Sequence, residues 1–280
     1  MKLIRFGEFR KERPGILTDD GARRDCSSLF KDWNSSFFAE DGIKKLSKID
    51  IEKLPTIPET ERWGSCVARP GKVVCVGLNY RDHAAETNAK IPIEPVLFLK
   101  ATNTVVGPYD NVVIPKNSIK TDYEVELALI ISKECRYLNS ESEAIDYIAG
   151  YTISNDVSER EFQKERGGGQ WTKGKSCDTF NPVGPFMITK DEINDVNNLW
   201  MKLSVNGILQ QNGNTGNMIF NPFFLVYHIS QFMTLEPGDI VSTGTPSGVG
   251  MGKNPPLFLK RGDTMELEIQ LLGRQKQTCV

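Results

Sequence analysis

The run Tyr123-Glu124-Val125-Glu126-Leu127-Ala128-Leu129-Ile130-Ile131 restricts the fold of this chain more than any other segment. It is apolar and β-prone, and in a strand the side chains at i and i+2 leave the same face. Val125 and Leu127 can therefore enter a core while Glu124 and Glu126 project together on the opposite side. Ala128 and Ile130 continue the glutamates' face as apolar residues, so that face is expected to be partly buried. Two carboxylates side by side repel unless a cation joins them, and buried carboxylates need a partner. The pair suits a divalent metal site, and it also suits surface charge on an exposed strand face.

From Gly71 onward, short β-rich runs alternate with Gly, Pro and Asn: Lys72–Val76, Val96–Leu99, Tyr123–Ile131, Gly150–Asn155 and Asp239–Thr243. These predict strands. Thr264 to Leu271 alternates apolar and polar residues with the period of a half-buried strand. Asn221-Pro222 predicts a helix start, followed by an apolar stripe of Phe224, Val226, Ile229, Phe232 and Met233 that ends before Glu236-Pro237-Gly238-Asp239. Ser142 to Ala149 is a shorter helix candidate. Residues 1–65 are charge-rich, end near Pro55 and Pro58, and read as a small N-terminal accessory domain. Residues 71–280 would form a mainly β (α+β) catalytic domain with peripheral helices.

The chain has 280 residues and a net charge of -2, with no cluster of Lys and Arg interleaved with aromatics. That argues against nucleic acid or membrane as a partner. No apolar stretch has the length of a signal peptide or a membrane span, which points to a cytoplasmic protein. Six cysteines without a CxxC pair predict reduced thiols and no zinc site. Only two histidines exist, so a three-histidine metal centre is excluded. Oxygen ligands favour a hard cation such as Mg²⁺ or Mn²⁺.

Other residues could complete such a centre. Asp156 follows the strand-like Tyr151–Asn155 in a polar cluster that could equally cap a helix. Lys175 follows a glycine-rich loop and could stabilise an oxyanion, although an exposed lysine fits the same pattern. His83 and Glu86 stand three apart, on one face of a helix if that segment is helical, where the carboxylate could orient an imidazole to activate water. Thr243 to Gly250 offers backbone amides and hydroxyls suited to a carboxylate, or simply a tight turn. His228, inside the expected amphipathic helix, reads as a packing or surface residue.

Several blocks occur in order: Val76-Gly77-Leu78-Asn79-Tyr80 with His83 and Glu86, Pro95–Lys100, Asp122-Tyr123-Glu124-Val125-Glu126, Asn155-Asp156-Val157-Ser158, Gly174-Lys175-Ser176 and Thr243-Gly244-Thr245-Pro246. With these blocks, residues 71–280 resemble the fumarylacetoacetate hydrolase superfamily. The resemblance implies a mixed β-sandwich roll, a homodimer, and Mg²⁺ or Mn²⁺ held by Glu124, Glu126 and Asp156. It implies that Lys175 stabilises an enolate, that Arg160 and Gln163 contact substrate oxygens, and that Thr245 holds the substrate carboxylate. His83 and Glu86 match the catalytic dyad of acylpyruvase-like members, on a lid. Cys177 departs from the aromatic residue that relatives carry.

The implied reaction is hydrolysis of the C3–C4 bond of a 2,4-dioxo acid with release of pyruvate, and the segments 82–87 and 92–102 look most like members acting on diketo-deoxy sugar acids such as 2,4-diketo-3-deoxy-L-fuconate or -rhamnonate. Oxaloacetate decarboxylation, ureidoglycolate cleavage and hydration of 2-oxo-pentenoates are rival activities. A silent, metal-stabilised binding protein is the alternative outside enzymes.

Overall fold

A computed structural model describes residues 1–280. The strands are β1 (Lys2–Phe6), β2 (Arg13–Leu17), β3 (Arg23–Asp25), β4 (Val73–Gly77), β5 (Val96–Lys100), β6 (Val105–Val106), β7 (Thr121–Asp122) and β8 (Val125–Ile131). They continue with β9 (Ile148–Asn155), β10 (Ser158–Glu159), β11 (Asn181–Thr189), β12 (Trp200–Val205), β13 (Ile208–Asn214), β14 (Ile240–Ser242), β15 (Thr264–Ile269) and β16 (Gly273–Thr278). The helices are short: α1 (Ser35–Ala39), α2 (Gly42–Leu46), α3 (Arg81–Glu86), α4 (Thr172–Lys175) and α5 (Pro222–Ser230). The protein is mainly β, as expected, and no helix is long and apolar enough to cross a membrane.

One large mixed sheet runs β3-β2-β1-β11-β9-β8-β14-β4-β5, with β6 paired to β11. Only the β4–β14 and β6–β11 pairs are parallel. A second, antiparallel sheet runs β13-β12-β15-β16. Strand β8 lies in the middle of the large sheet, and its alternation decides which layer each residue meets. Val125, Leu127, Leu129 and Ile131 share a core with Met201, Leu203, Val205, Met265, Leu267 and Ile269 of the second sheet. Ala128 and Ile130 point the other way, into a core with Trp33, Phe37, Phe38 and Leu46. A strand buried on both faces has no need of polar alternation, which explains the continuous apolar run after Glu126.

The N-terminal segment closes that second face. Residues 1–65, expected as an accessory domain, join the large sheet through β1, where Lys2 and Leu3 pair with Ile188 and Met187 of β11. Leu3, Ile16 and Trp33 share a core with Val73, Val183 and Met187. The indole N–H of the fully buried Trp33 donates to the carbonyls of Ile4 (2.8 Å) and Gly15 (3.1 Å), locking the helical part of the segment to its strands. The physical reason is the sheet itself, whose apolar face over β8 and β11 would otherwise meet water.

Two helix expectations need correction. The Asn221 side chain caps α5 by accepting from the N–H groups of Phe223 and Phe224, as foreseen, but the helix stops at Ser230. Its inner face is Leu225, Val226 and Ile229, whereas Phe232 is 64% exposed. Phe220, Phe224, His228 and Phe232 instead form an outer ladder of ring contacts. The Ser142–Ala149 helix is a 3₁₀ stretch, Glu141–Tyr147, and Ile148 and Ala149 already belong to β9.

Candidate active site

The sheet register brings the acidic residues together. In the antiparallel β8–β9 pair, Val125 lies opposite Asn155 and Glu126 opposite Ser154. Continued by one residue, this places Asp156 opposite Glu124, and the Asp156 N–H donates to the Glu124 carbonyl at 3.0 Å. Directly opposed residues in an antiparallel pair share a face, so Asp156 joins the two glutamates. One carboxylate oxygen from each of the three lies within 4.8 Å of the others. Glu124, Glu126 and Asp156 are 5%, 1% and 0% exposed.

Cations enclose this cluster unevenly. The Lys175 ammonium donates to Glu124 Oε2 at 2.8 Å and Asp156 Oδ2 at 2.7 Å. Arg160 donates from Nε to Asp122 Oδ2 at 2.8 Å, and its Nη2 lies 2.7 Å from Glu124 Oε1. Its Nη1 donates to Gln163 Oε1 at 3.1 Å. Lys100, also buried, pairs with Asp156 Oδ1. Burial opposes the charge on Glu124, but Lys175 and Arg160 outweigh it and hold the carboxyl well below the usual range. Glu126 has only the Gly244 N–H, at 3.0 Å. Burial, Asp156 and Glu124 push its carboxyl well above the ordinary value.

Four buried carboxylates, Asp122, Glu124, Glu126 and Asp156, therefore face three buried cations, Lys100, Arg160 and Lys175. The uncompensated group is Glu126, pointing into the three-carboxylate cluster. Such a donor set fits a hard divalent cation and would relieve the charge imbalance.

A pH dependence follows. Below its raised folded value Glu126 keeps a proton that the unfolded chain releases in the ordinary carboxyl range, and above it Glu126 carries the uncompensated charge. Stability without metal therefore falls as pH rises from that range through the raised folded value. Metal binding displaces the proton, so affinity rises with pH. The Tm gained on adding Mn²⁺ at about 1 mM should be larger at about pH 7.5 than at about pH 5.5 in thermal melts. An equal gain at both would show that no proton is displaced.

His83 lines the same cavity as the cluster. Leu78, at φ 55°, adopts the left-handed conformation that turns the chain from β4 towards α3. On α3, Glu86 Oε2 lies 3.1 Å from His83 Nδ1 and accepts its N–H in the tautomer a carboxylate partner favours. The other Glu86 oxygen accepts from Gly248 N–H at 2.9 Å, and Ser247 donates to Asp82 at 3.2 Å, so the 244–252 loop latches α3. His83, Glu124, Glu126, Arg160, Gln163, Lys175 and Thr245 line one cavity, with Val76, Leu78, Phe98, Trp171 and Met251 among its other walls. Gly77 lets the Trp171 ring lie against the backbone, where a Cβ would come within 2.3 Å of it.

The cavity holds about 30 Å³, the space of about one water. Cys177 does not line it. A larger cleft of about 450 Å³ lies elsewhere, against Arg5, Arg69 and Thr102. Its most buried charge, Arg5, is already paired with Asp32 at 2.7 Å, and it contains none of the acidic trio.

Residues 72–280 match the family model described as fumarylacetoacetate (FAA) hydrolase C-terminal. The chain belongs to the fumarylacetoacetate hydrolase family. It is 49% identical over 279 residues to a protein of Burkholderia ambifaria whose name says hydrolase without a substrate, covering 99% of this chain and 98% of that one. Among solved structures, the fumarylacetoacetate hydrolase of Exiguobacterium antarcticum is 34% identical, with a TM-score of 0.87 over 100% of this chain and 99% of that one. The maleylpyruvate hydrolase of Sphingobium sp. SYK-6, solved with manganese(II) and pyruvate, is 29% identical, with a TM-score of 0.83 over 100% and 99%. The protein is thus a family enzyme of hydrolase type with an acidic trio suited to metal.

Sequence reasoning on this family member assigned no role to three buried residues that shape the site. Lys100 ends an apolar strand and closes the matching block Pro95–Lys100, but neither signal gave it a role. Asp122 accepts from Gly250 N–H (2.7 Å), Met251 N–H (3.0 Å) and Arg160, joining the latch loop to the cluster. Gln211 donates to Thr245 Oγ1 at 2.8 Å and accepts from Val125 N–H at 2.9 Å, fixing Thr245 beside β8. Asp122 stands in a matching block but without a role, and no local pattern marks Gln211, because the partners of both are distant in sequence.

Proposed function

We propose that the protein hydrolyses the C3–C4 bond of a 2,4-dioxo acid and releases pyruvate, with Mg²⁺ or Mn²⁺ held by Glu124, Glu126 and Asp156. The supporting observation is that the under-compensated carboxylate trio, the Lys175 ammonium and the His83–Glu86 pair share one cavity. The charge balance agrees: a divalent cation turns the deficit of one positive charge into an excess of one, which one substrate carboxylate neutralises.

A cation bound there supplies Lewis-acid polarisation of the substrate's 2-oxo group. With Glu86 accepting from Nδ1–H, His83 Nε2 keeps its lone pair and takes a proton from water as the water oxygen bonds to C4. The C3–C4 bond then breaks, its electron pair moves to C3 and the adjoining 2-oxo group, and the tail leaves as a carboxylic acid. Lys175 has three donors and uses two on Glu124 and Asp156, which leaves one for the enolate oxygen. Protonation at C3 completes pyruvate. Arg160 and Gln163 hold substrate oxygens, and Thr245 the 1-carboxylate once its hydroxyl turns from the Val125 carbonyl, to which it donates at 2.9 Å.

The test is pyruvate release from a panel of dioxo acids, including diketo-deoxy sugar acids, with Mn²⁺ or Mg²⁺ present. Turnover of at least one, lost with chelator, is expected. Decarboxylation of oxaloacetate without cleavage of any dioxo acid would replace the hydrolytic reading. No turnover by protein shown to bind metal would favour a silent binding role.

A further inference from the structure

We propose that the cleft of about 450 Å³ beside the N-terminal segment is a second binding site, taking a small organic monocarboxylate with an apolar body. It contains none of the acidic trio, so the inference does not depend on the hydrolytic reading. Its volume lies in the range of small-molecule pockets, about 300–1,000 Å³, whereas the cavity at the trio holds about one water. Two parts of the fold wall it. Phe9, Arg10 and Asp32 come from the N-terminal segment, and Thr102, Val105 and Val106 from the chain that follows β5.

The charges on the wall do not balance. Asp32 is held by Arg5, from Nε to Oδ1 at 2.7 Å and from Nη2 to Oδ2 at 2.9 Å. Glu12, the other carboxylate of the wall, accepts from Arg62 at 3.0 Å and from Arg5 at 3.5 Å. Arg10 and Arg69 line the same cleft and make no ion pair within the chain: Arg10 lies over the Phe9 ring at 5.1 Å, and Arg69 Nε donates to Thr102 Oγ1 at 2.9 Å. Arg5, Arg10 and Arg69 against Glu12 and Asp32 leave one positive charge, and Arg62, outside the wall, is balanced by Asp110. One carboxylate neutralises that surplus and matches the planar fork of a guanidinium. The rest of the wall asks for an apolar body. Val67 and Val106 are buried there, beside Val105 and the half-exposed Phe9. Ser65, also on the wall, is 5% exposed, and its hydroxyl has no hydrogen-bond partner. A buried hydroxyl without an acceptor is costly, and a carboxylate supplies the acceptor.

The test is calorimetric titration of the full chain, without metal, with hexanoate, hexanamide and inorganic phosphate. Wild type is compared with Arg10→Gln, Arg69→Gln and the double variant. Saturable one-to-one binding of hexanoate is expected, at least about 10-fold tighter than that of hexanamide or phosphate, the range of one charged hydrogen bond. Each single substitution should weaken hexanoate binding by about 10-fold, and the double variant should lose it. A second readout is the Tm, which hexanoate should raise in the wild type and leave unchanged in the double variant. Mn²⁺ should act on both proteins alike, because neither arginine touches the trio, and that result shows the double variant to be folded. No saturable binding of hexanoate, or equal affinity for hexanamide or phosphate, would overturn the proposal. So would hexanoate affinity unchanged in the double variant, which would place the acid at another site. None of these outcomes depends on whether a dioxo acid is cleaved.

Discussion

Glu126→Gln is expected to lower kcat/KM for dioxo-acid cleavage by at least about 10³-fold and to abolish the Tm gain on adding Mn²⁺. Glutamine keeps an oxygen that accepts the Gly244 N–H, so the 244–252 loop stays anchored. It removes the one charge in the cluster without a cation partner. Apo stability should therefore be unchanged or higher, because a buried carboxylate that repels Glu124 and Asp156 disappears. Glu124→Gln would be a poorer probe, since it weakens ion pairs with both Lys175 and Arg160 and leaves two buried cations under-compensated. Melting curves with and without Mn²⁺, beside pyruvate-release kinetics, read metal binding, folding and activity separately. Activity within about 10-fold of wild type, with the Mn²⁺ gain intact, would remove Glu126 from the metal site.

His83→Ala is expected to reduce hydrolysis of the best dioxo acid by about 10²- to 10⁴-fold, the usual contribution of a positioned general base. The Mn²⁺-dependent Tm gain should persist, because His83 does not belong to the acidic trio. Decarboxylation of oxaloacetate, if the enzyme performs it, needs no attacking water and should fall far less. Glu86→Gln tests the orienting role: an amide keeps the loop contact to Gly248 N–H through its oxygen but weakens the hold on His83. Its loss should be smaller than that of His83→Ala and should show in the pH profile of kcat/KM. Undiminished hydrolysis by His83→Ala would show that another group activates the water.

Local patterns carried as far as local geometry reaches. The i, i+2 spacing put Glu124 and Glu126 on one face, and the apolar Ala128 and Ile130 signalled that this face is covered. The i, i+3 spacing of His83 and Glu86 became a hydrogen-bonded pair on α3. The Asn221-Pro222 start of α5 was readable because capping depends on neighbouring residues. Its inner face was readable in part: Val226 and Ile229 are buried as expected, whereas Phe232 lies past the helix end, where the 3.6-residue period no longer applies.

What the chain determines by itself is therefore a set of strands, the direction of two carboxylates, and a family resemblance that named the remaining site residues. Only the tertiary structure decides that Asp156 stands opposite Glu124, because register is a property of two strands and not of one. The same holds for the attachment of residues 1–65 to the edge of the sheet, and for the roles of Lys100, Asp122 and Gln211. It holds above all for the charge balance, since the excess of carboxylate at Glu126 emerges only once distant segments share a cavity that excludes most of the water.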